Sequence, residues 1–288
     1  MNRRKADAAL VVNTLIWGGT FILVKAALRD VSPVLFLALR FSLATLVLAG
    51  LWLAGWRGAS KHRQGVAGGV LTGVLLFAGF LFQTLGLQFT TAPKSAFLTG
   101  LASVMVPLLA ALVYRNRPQA SEVLGVLVAT AGLGLMTLQG PIGTMGKGDV
   151  LTLCCALAFA GHIVTLGHYS ERMSFEVLSV TQVATAAALA VSLFWWVEPS
   201  RVVWRPAVIY AILVTGLLAT ALTFTVQAWA QRYTSSTRTA LIYTLEPVFA
   251  WVISYWAVGE GLAGRTAAGA ALILGGVVLV ELKPMPTR

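Results

Sequence analysis

A glutamate stands inside the apolar, aromatic run 241–251, LIYTLEPVFAW. An ionisable group within a membrane span costs at least about 2.5–3.5 kcal/mol on insertion scales, so it must face a partner or water. Glu246 lies eight residues from Arg238. That is about 12 Å along a helix at 1.5 Å per residue, too far for a short carboxylate to reach the interface. Two readings stay open. Glu246 is a cavity carboxylate that binds a substrate ammonium or carries a proton, or it is a protonated or paired group that braces a kink. Pro247 supplies the kink, because it frees the carbonyl one turn back, near Tyr243.

The cations leave similar alternatives. Arg40 lies about seven residues from the outer end of its span. It either snorkels outward or faces a cavity and grips a carboxylate with its fork of donors. Lys25 is closer to an end, where snorkelling is the ordinary outcome. However, Trp17, Phe21 and Lys25 are spaced i, i+4, i+8 and share one helix face. If that face lines a cavity, Lys25 is its last polar group before the outside. Trp17 and Trp251 are mid-span aromatics, serving either as packing or as the apolar wall that ligand sites need. Gln83 and Gln227 are amides that must find partners on a neighbouring helix or a substrate. His162 is the mid-span histidine, a packing residue or a proton-coupling group. No HExxH, GxSxG, GxxxxGK[ST] or paired metal-ligand histidines occur, so the sequence offers no cofactor, no metal and no enzyme chemistry. Cys154 and Cys155 are adjacent and give neither a disulfide framework nor metal spacing.

The elements that hold these residues are membrane spans. Of 288 residues, 58% are hydrophobic and 11% are charged, and the mean hydropathy is +0.82. A soluble domain carries about 25% charged residues. The net charge of +11 does not mark a nucleic-acid binder, because the basic residues fall in short clusters between apolar runs. A span needs about 20 mostly apolar residues. Ten segments qualify: 7–28, 33–54, 65–87, 95–114, 121–139, 148–168, 175–197, 206–229, 238–258 and 264–282. The first is too long for a signal-peptide core. Of the 21 Lys and Arg, Lys25 and Arg40 lie within spans. Six (Arg29, Lys94, Lys147, Arg201, Arg205, Arg265) fall on one side and the remaining 13 on the other. The basic side is cytoplasmic, which predicts both termini inside. Most tryptophans fall near span ends, where aromatic belts sit. Gly69/Gly73 and Ala267/Ala271/Gly275 have the spacing that lets helices approach closely, and Gly125, Gly132 and Gly134 thin the fifth span.

The chain repeats itself. A shift of 144 residues pairs Gln83 with Gln227, Thr90 with Thr234, Lys94 with Arg238, Leu101 with Leu245, Gly125 with Gly269 and Gly132 with Gly276. A shift of 142 pairs Asp7 with Asp149, Trp17 with Phe159, Ser32 with Ser174 and Arg40 with Gln182. Two copies result, 1–142 and 143–288, with five spans each. Five is odd, so the second copy enters the membrane upside down. Inverted repeats are a hallmark of secondary transporters, with the substrate near the midplane between the copies. Phe159 is then expected to face Trp17 across the symmetry axis.

The stretch ALIYTLEPVFAWVISYWAVGEGLAGRTAAGAALILGGVVL, with WGGTFILVKAAL and ALRF near the start, resembles the drug/metabolite transporter superfamily, EamA type. The resemblance covers essentially the whole chain. It implies ten helices, cytoplasmic termini, residence in the cell (inner) membrane, a central cavity and a small-metabolite substrate, often an amino acid that is exported. A GE step after the fourth helix, which the family often has, is replaced here by VYRNRP, with Asn116 or Arg117 near the acidic position, while Glu260 keeps the step in the second copy. The implied transporter binds a small molecule in a cavity lined by Trp17, Phe21, Lys25, Arg40, Gln83, Phe159, His162, Gln227, Tyr243, Glu246 and Trp251. Protons are the candidate coupling ion, with facilitated diffusion as the open alternative; the surroundings are the lipid bilayer, and the expected state is a monomer or weak dimer. Hydrophobic cations and sugars are the alternative substrates, and an intramembrane enzyme is a more distant alternative.

Overall fold

Five of the helices begin where the sequence supplies a start signal. The computed structural model describes residues 2–56, 66–90, 92–115, 119–138, 145–258 and 264–281. Asn116, Arg117 and Glu260 lie outside the described residues, as do the side chains of Phe21 and Lys25. The helices are α1 (Asn2–Ala27), α2 (Pro33–Leu53), α3 (Ala67–Gly86), α4 (Ala92–Gly100), α5 (Ala102–Tyr114), α6 (Ala120–Thr137), α7 (Lys147–Ser170) and α8 (Phe175–Val197). There follow α9 (Pro206–Gly216), a π-helical turn (Leu217–Leu222), α10 (Thr223–Ala230), α11 (Ser236–Tyr243), α12 (Glu246–Val258) and α13 (Gly264–Glu281). Pro33 and Pro206 open α2 and α9, at the position where a missing N–H costs nothing. Ser174 and Ser235 accept the backbone N–H of Val177 and Arg238, and Gln119 with Glu122 closes a capping box.

Three expected spans are interrupted. Segment 95–114 is split at Leu101 into α4 and α5, and segment 238–258 is split at Thr244 and Leu245 into α11 and α12. The two breaks coincide under the 144-residue shift. In the second copy, Thr244 N–H and Leu245 N–H bond three residues back, to Leu241 and Ile242, at 3.1 and 3.0 Å. Pro247 cannot donate to Tyr243, so the α-helical ladder loses a rung there. In the first copy Ser103 occupies the proline's place. Pro107 withdraws the donor from the Ser103 carbonyl instead, and Leu101 N–H is shared between Phe97 and Leu98 at 3.2 Å each. Segment 206–229 carries the π turn in its middle.

Helices α6 and α13 pack antiparallel through glycines. A Cβ on Gly125 would sit 2.8 Å from the Gly276 carbonyl, and one on Gly132 would sit 2.6 Å from that of Gly269. The contacts are reciprocal, since Gly276 meets Gly125 O and Gly269 meets Gly132 O, each at 2.6 Å. The 144-residue shift exchanges these two contacts. Gly73 likewise approaches the Gln182 carbonyl of α8. Gly275 corrects an expectation, because nothing lies within 4 Å of a Cβ placed there. It faces outward, and Gly269 and Gly276 make the close approach. Among the described residues, seven stretches are long and apolar enough to cross a membrane, and Gly264–Val280 is a shorter apolar helix. The outer surface is itself apolar: Leu46 is 72% exposed, Leu112 77%, Trp196 85% and Trp256 81%. Water would penalise such a surface, whereas lipid matches it.

Candidate functional site

Four aromatic rings form a chain through the middle of the bundle. Trp17 of α1 lies 5.6 Å from Phe224 of α10, Phe224 lies 6.1 Å from Phe80 of α3, and Phe80 lies 5.3 Å from Phe159 of α7. The 144-residue shift relates Phe80 to Phe224, and the 142-residue shift relates Trp17 to Phe159. The chain of rings therefore maps onto itself when the copies are exchanged. The expectation that Trp17 and Phe159 face each other is corrected: Phe224 and Phe80 stand between them.

Arg40 is tied to one side of this chain. It is only 4% exposed, and it points inward rather than snorkelling. Its Nε donates to Thr220 Oγ1 at 2.6 Å and its Nη2 to Ala219 O at 2.9 Å. Its guanidinium lies 4.6 Å from the centre of the Phe80 ring, within cation–π range. Both acceptors belong to the π turn. Such a turn bonds five residues back and leaves carbonyls without their α-helical donors, and Thr220 Oγ1 itself donates to Thr215 O, five residues earlier, at 2.8 Å. Of the two acceptors, the Ala219 carbonyl is a backbone group that an unbroken helix would have kept within its own ladder. Trp17 Nε1 donates to the same Ala219 oxygen at 3.1 Å.

His162 stands on the other side, with its ring 5.6 Å from Phe224. Its Nε2 lies 2.9 Å from Gln182 Oε1, and Gln182 is the repeat partner of Arg40. Gln182 Nε2 is buried and bonds no described residue. Gln227 Nε2 donates along its own helix to Gln231 Oε1 at 3.1 Å, and Gln231 donates to Ile163 O. Gln83 is half-buried and shares no such bond, so the two glutamines of the repeat differ in role.

Glu246 opens α12 at the break. Helix α1 presses directly on it, since a Cβ on Gly18 would come within 2.9 Å of the Glu246 carbonyl. The carboxylate is part-exposed and hydrogen-bonds no described residue. It lies within electrostatic reach of Tyr243 and Cys155. Tyr243 packs edge-on against Trp17 at 4.8 Å, and its buried hydroxyl bonds no described residue. Asn13 stands beside it and donates to Thr223 O at 2.8 Å. Trp17 therefore links the Arg40 side to the Glu246 side. Trp251 does not join this group. It packs against the cluster of Leu10, Ile242 and Ile273, which Tyr243 also borders.

A cavity of about 870 Å³ opens at the end of the molecule formed by the C-termini of α1, α3 and α8 and the N-terminus of α2. Its polar lining includes Ser32, Thr84, Gln88, Thr90, Glu198 and Arg201. Thr84 lies one turn beyond Phe80 and donates to the Phe80 carbonyl, so the cavity reaches toward the ring chain. Glu198 caps α2 from outside by accepting Val34 N–H at 2.5 Å. Burial pushes its carboxyl above its ordinary value of 4.5, against the bonds from Val34, Leu35 and Ser32.

The structure brings together Trp17, Arg40, Phe159, His162, Tyr243 and, through α1, Glu246. Sequence reading missed Asn13, Phe80, Gln182 as the partner of His162, Thr220 and Phe224. Applying the repeat offsets at every position would have paired Phe80 with Phe224. Nothing in the sequence marks the π turn.

The EamA-like transporter family matches residues 4–138 and again 146–282. An uncharacterized transporter of Archaeoglobus fulgidus is 35% identical over 283 residues, covering 98% of this chain and 88% of that protein. The uncharacterized transporter YoaV of Bacillus subtilis is 20% identical, covering 96% of each chain. A protein of known crystal structure shares the fold, with a TM-score of 0.83 and 23% identity over 97% of each chain.

Proposed function

This chain belongs to the EamA-like transporter family, and from that premise we propose that it is a secondary transporter of small metabolites, amino acids foremost, working by alternating access. In this reading ten spans form two inverted repeats, 1–142 and 143–288, with both termini on the cytoplasmic side of the cell (inner) membrane. The exchangeable contacts of Gly125, Gly132, Gly269 and Gly276 support it, as do the self-mapping ring chain and the paired helix breaks. The protein works as a monomer or weak dimer in the bilayer, and export is its direction. Membership of a transporter family points away from an enzyme.

One observation carries the substrate class. Arg40 is a buried cation whose hydrogen bonds all go to neutral acceptors. A buried charge is costly unless it is paired. A substrate carboxylate supplies the pair at the guanidinium's remaining Nη1, and Glu246, beyond Trp17, receives the ammonium or exchanges a proton. An amino acid has both groups. The ring chain favours hydrophobic cations as the second reading.

Uptake into proteoliposomes of labelled amino acids, sugars and organic cations, each with and without a pH gradient, tests this. Amino acids that accumulate only with the gradient support proton-coupled amino-acid transport. Movement of cations or sugars alone would replace the substrate class with the second reading.

A further inference from the structure

Two ion pairs stand at repeat-related places. At one end, Lys94 Nζ of α4 lies 2.7 Å from Asp149 Oδ2 of α7. Thr90 Oγ1 donates to the other Asp149 oxygen at 2.7 Å, and Gly146 N–H donates to Oδ2 at 2.8 Å. At the opposite end, Arg238 Nη2 of α11 lies 3.5 Å from Asp7 Oδ2 of α1, with Arg3 Nε at 3.8 Å. The repeat offsets turn Asp7 into Asp149, Thr90 into Thr234 and Lys94 into Arg238. Each pair joins one half of the chain to the other. The seams they close correspond deeper in as well: Thr99 meets Cys155 at 3.8 Å where Tyr243 meets Asn13.

The pairs are unequally engaged. Asp149 makes charge-assisted bonds of full-strength length, about 2.7–2.9 Å, and all its neighbours use it. Asp7 is 7% exposed, yet neither of its oxygens accepts a hydrogen bond from a described residue. Thr234, the counterpart of Thr90, is buried with its hydroxyl unbonded to described residues. Arg238 meanwhile donates to Val280 O at 2.9 Å. Thr90 also lines the large cavity, so the tight pair borders its mouth.

We propose that Asp149–Lys94 and Asp7–Arg238 are two latches, one per end of the transport path, whose relative engagement sets which end opens. This rests on the alternating-access reading above. Two symmetric halves need something unequal to settle in one conformation, and two copies of one ion pair, one tight and one loose, provide it.

The test uses the full chain in lipid nanodiscs, where both faces meet solvent, with Cys154 and Cys155 replaced by alanine. A single reporter is placed at Thr84→Cys, in the cavity, or at Ala228→Cys, its repeat counterpart. The readout is the labelling rate by a charged maleimide, followed by mass spectrometry. Because the engaged Asp149–Lys94 pair borders the open cavity while Ala228 is buried, Asp149→Asn and Lys94→Gln should each lower labelling of the Thr84→Cys reporter at least tenfold and raise that of the Ala228→Cys reporter. Asp7→Asn should do the reverse. Lys94→Gln leaves the Asp149 cap on Gly146 intact, so it decides the matter if Asp149→Asn does not fold. Unchanged reporters in a cooperatively melting Lys94→Gln protein would overturn the latches, as would both reporters rising together. If each variant closes only its own end with no reciprocal gain at the other, the latches stand and alternating access fails.

Discussion

Trp17 of α1 and Arg40 of α2 donate to one oxygen, the carbonyl of Ala219, at 3.1 and 2.9 Å. Two helices of the first copy are thereby pinned to a single turn of the second. A hydrogen bond to a charged group contributes about 1.5–3 kcal/mol. Lysine keeps the charge, but its compact ammonium lacks the planar fork that reaches Ala219 and Thr220 and presents a second edge to a carboxylate. Arg40→Lys should lower the melting temperature and cut amino-acid uptake at least tenfold. Thr220→Val should have a smaller effect of the same sign. Unchanged uptake in Arg40→Lys would remove the guanidinium fork from the binding site.

The α6–α13 contact gives a matched pair of alanine substitutions. A Cβ on Gly132 meets backbone atoms at 2.6 and 2.9 Å, which cannot move without shifting a helix. Overpacking of this kind costs about 1–3 kcal/mol. Gly132→Ala should therefore lower the melting temperature. Gly275→Ala meets nothing within 4 Å and gains helix propensity, about 0.5–1 kcal/mol. It should melt at or slightly above the parent temperature. Thermal unfolding of both variants in the same detergent makes the comparison.

Hydropathy located the helices, because a span must be apolar along about 20 residues whatever its tertiary contacts. It could not locate the breaks at Leu101 and Leu245 or the π turn. Those depend on single hydrogen bonds and on what Arg40 and Trp17 demand of Ala219. The repeat offsets carried more, since they already paired Asp7 with Asp149 and Lys94 with Arg238. What they lacked was the knowledge that each acid meets the cation of the other copy, which is a property of packing. The small residues of the last helix show the same limit: spacing alone favoured Gly275, and only the crossing geometry selects Gly269 and Gly276.

Glu198 predicts a pH dependence of stability. Its carboxyl is raised in the folded chain by burial, so the folded state holds that proton more tightly than the unfolded state. Stability from this group is present below its ordinary value of 4.5 and declines as pH rises through the raised folded value. Glu198→Gln keeps an acceptor for Val34 N–H and removes the titration. Between pH 4 and 7 the melting temperature of Glu198→Gln should fall less than that of the parent. Parallel curves would show that the group does not contribute.

Glu246 separates coupling from bracing. A carboxylate that braced the α11–α12 break would hold a donor there, yet Glu246 bonds none of the described residues, and the break recurs in the first copy, where Ala102 takes its place. The backbone explains the kink without it. Glu246→Gln keeps the shape and removes the ionisation. Its stability should stay within about 0.5 kcal/mol of the parent, the range of substitutions that break no named contact. Substrate should still equilibrate across proteoliposomes but should no longer accumulate against an imposed pH gradient. A large drop in melting temperature with gradient-driven uptake retained would assign Glu246 to the kink. Counterflow and gradient-driven uptake measured on one preparation distinguish the two, because only coupling needs a proton that Gln cannot carry.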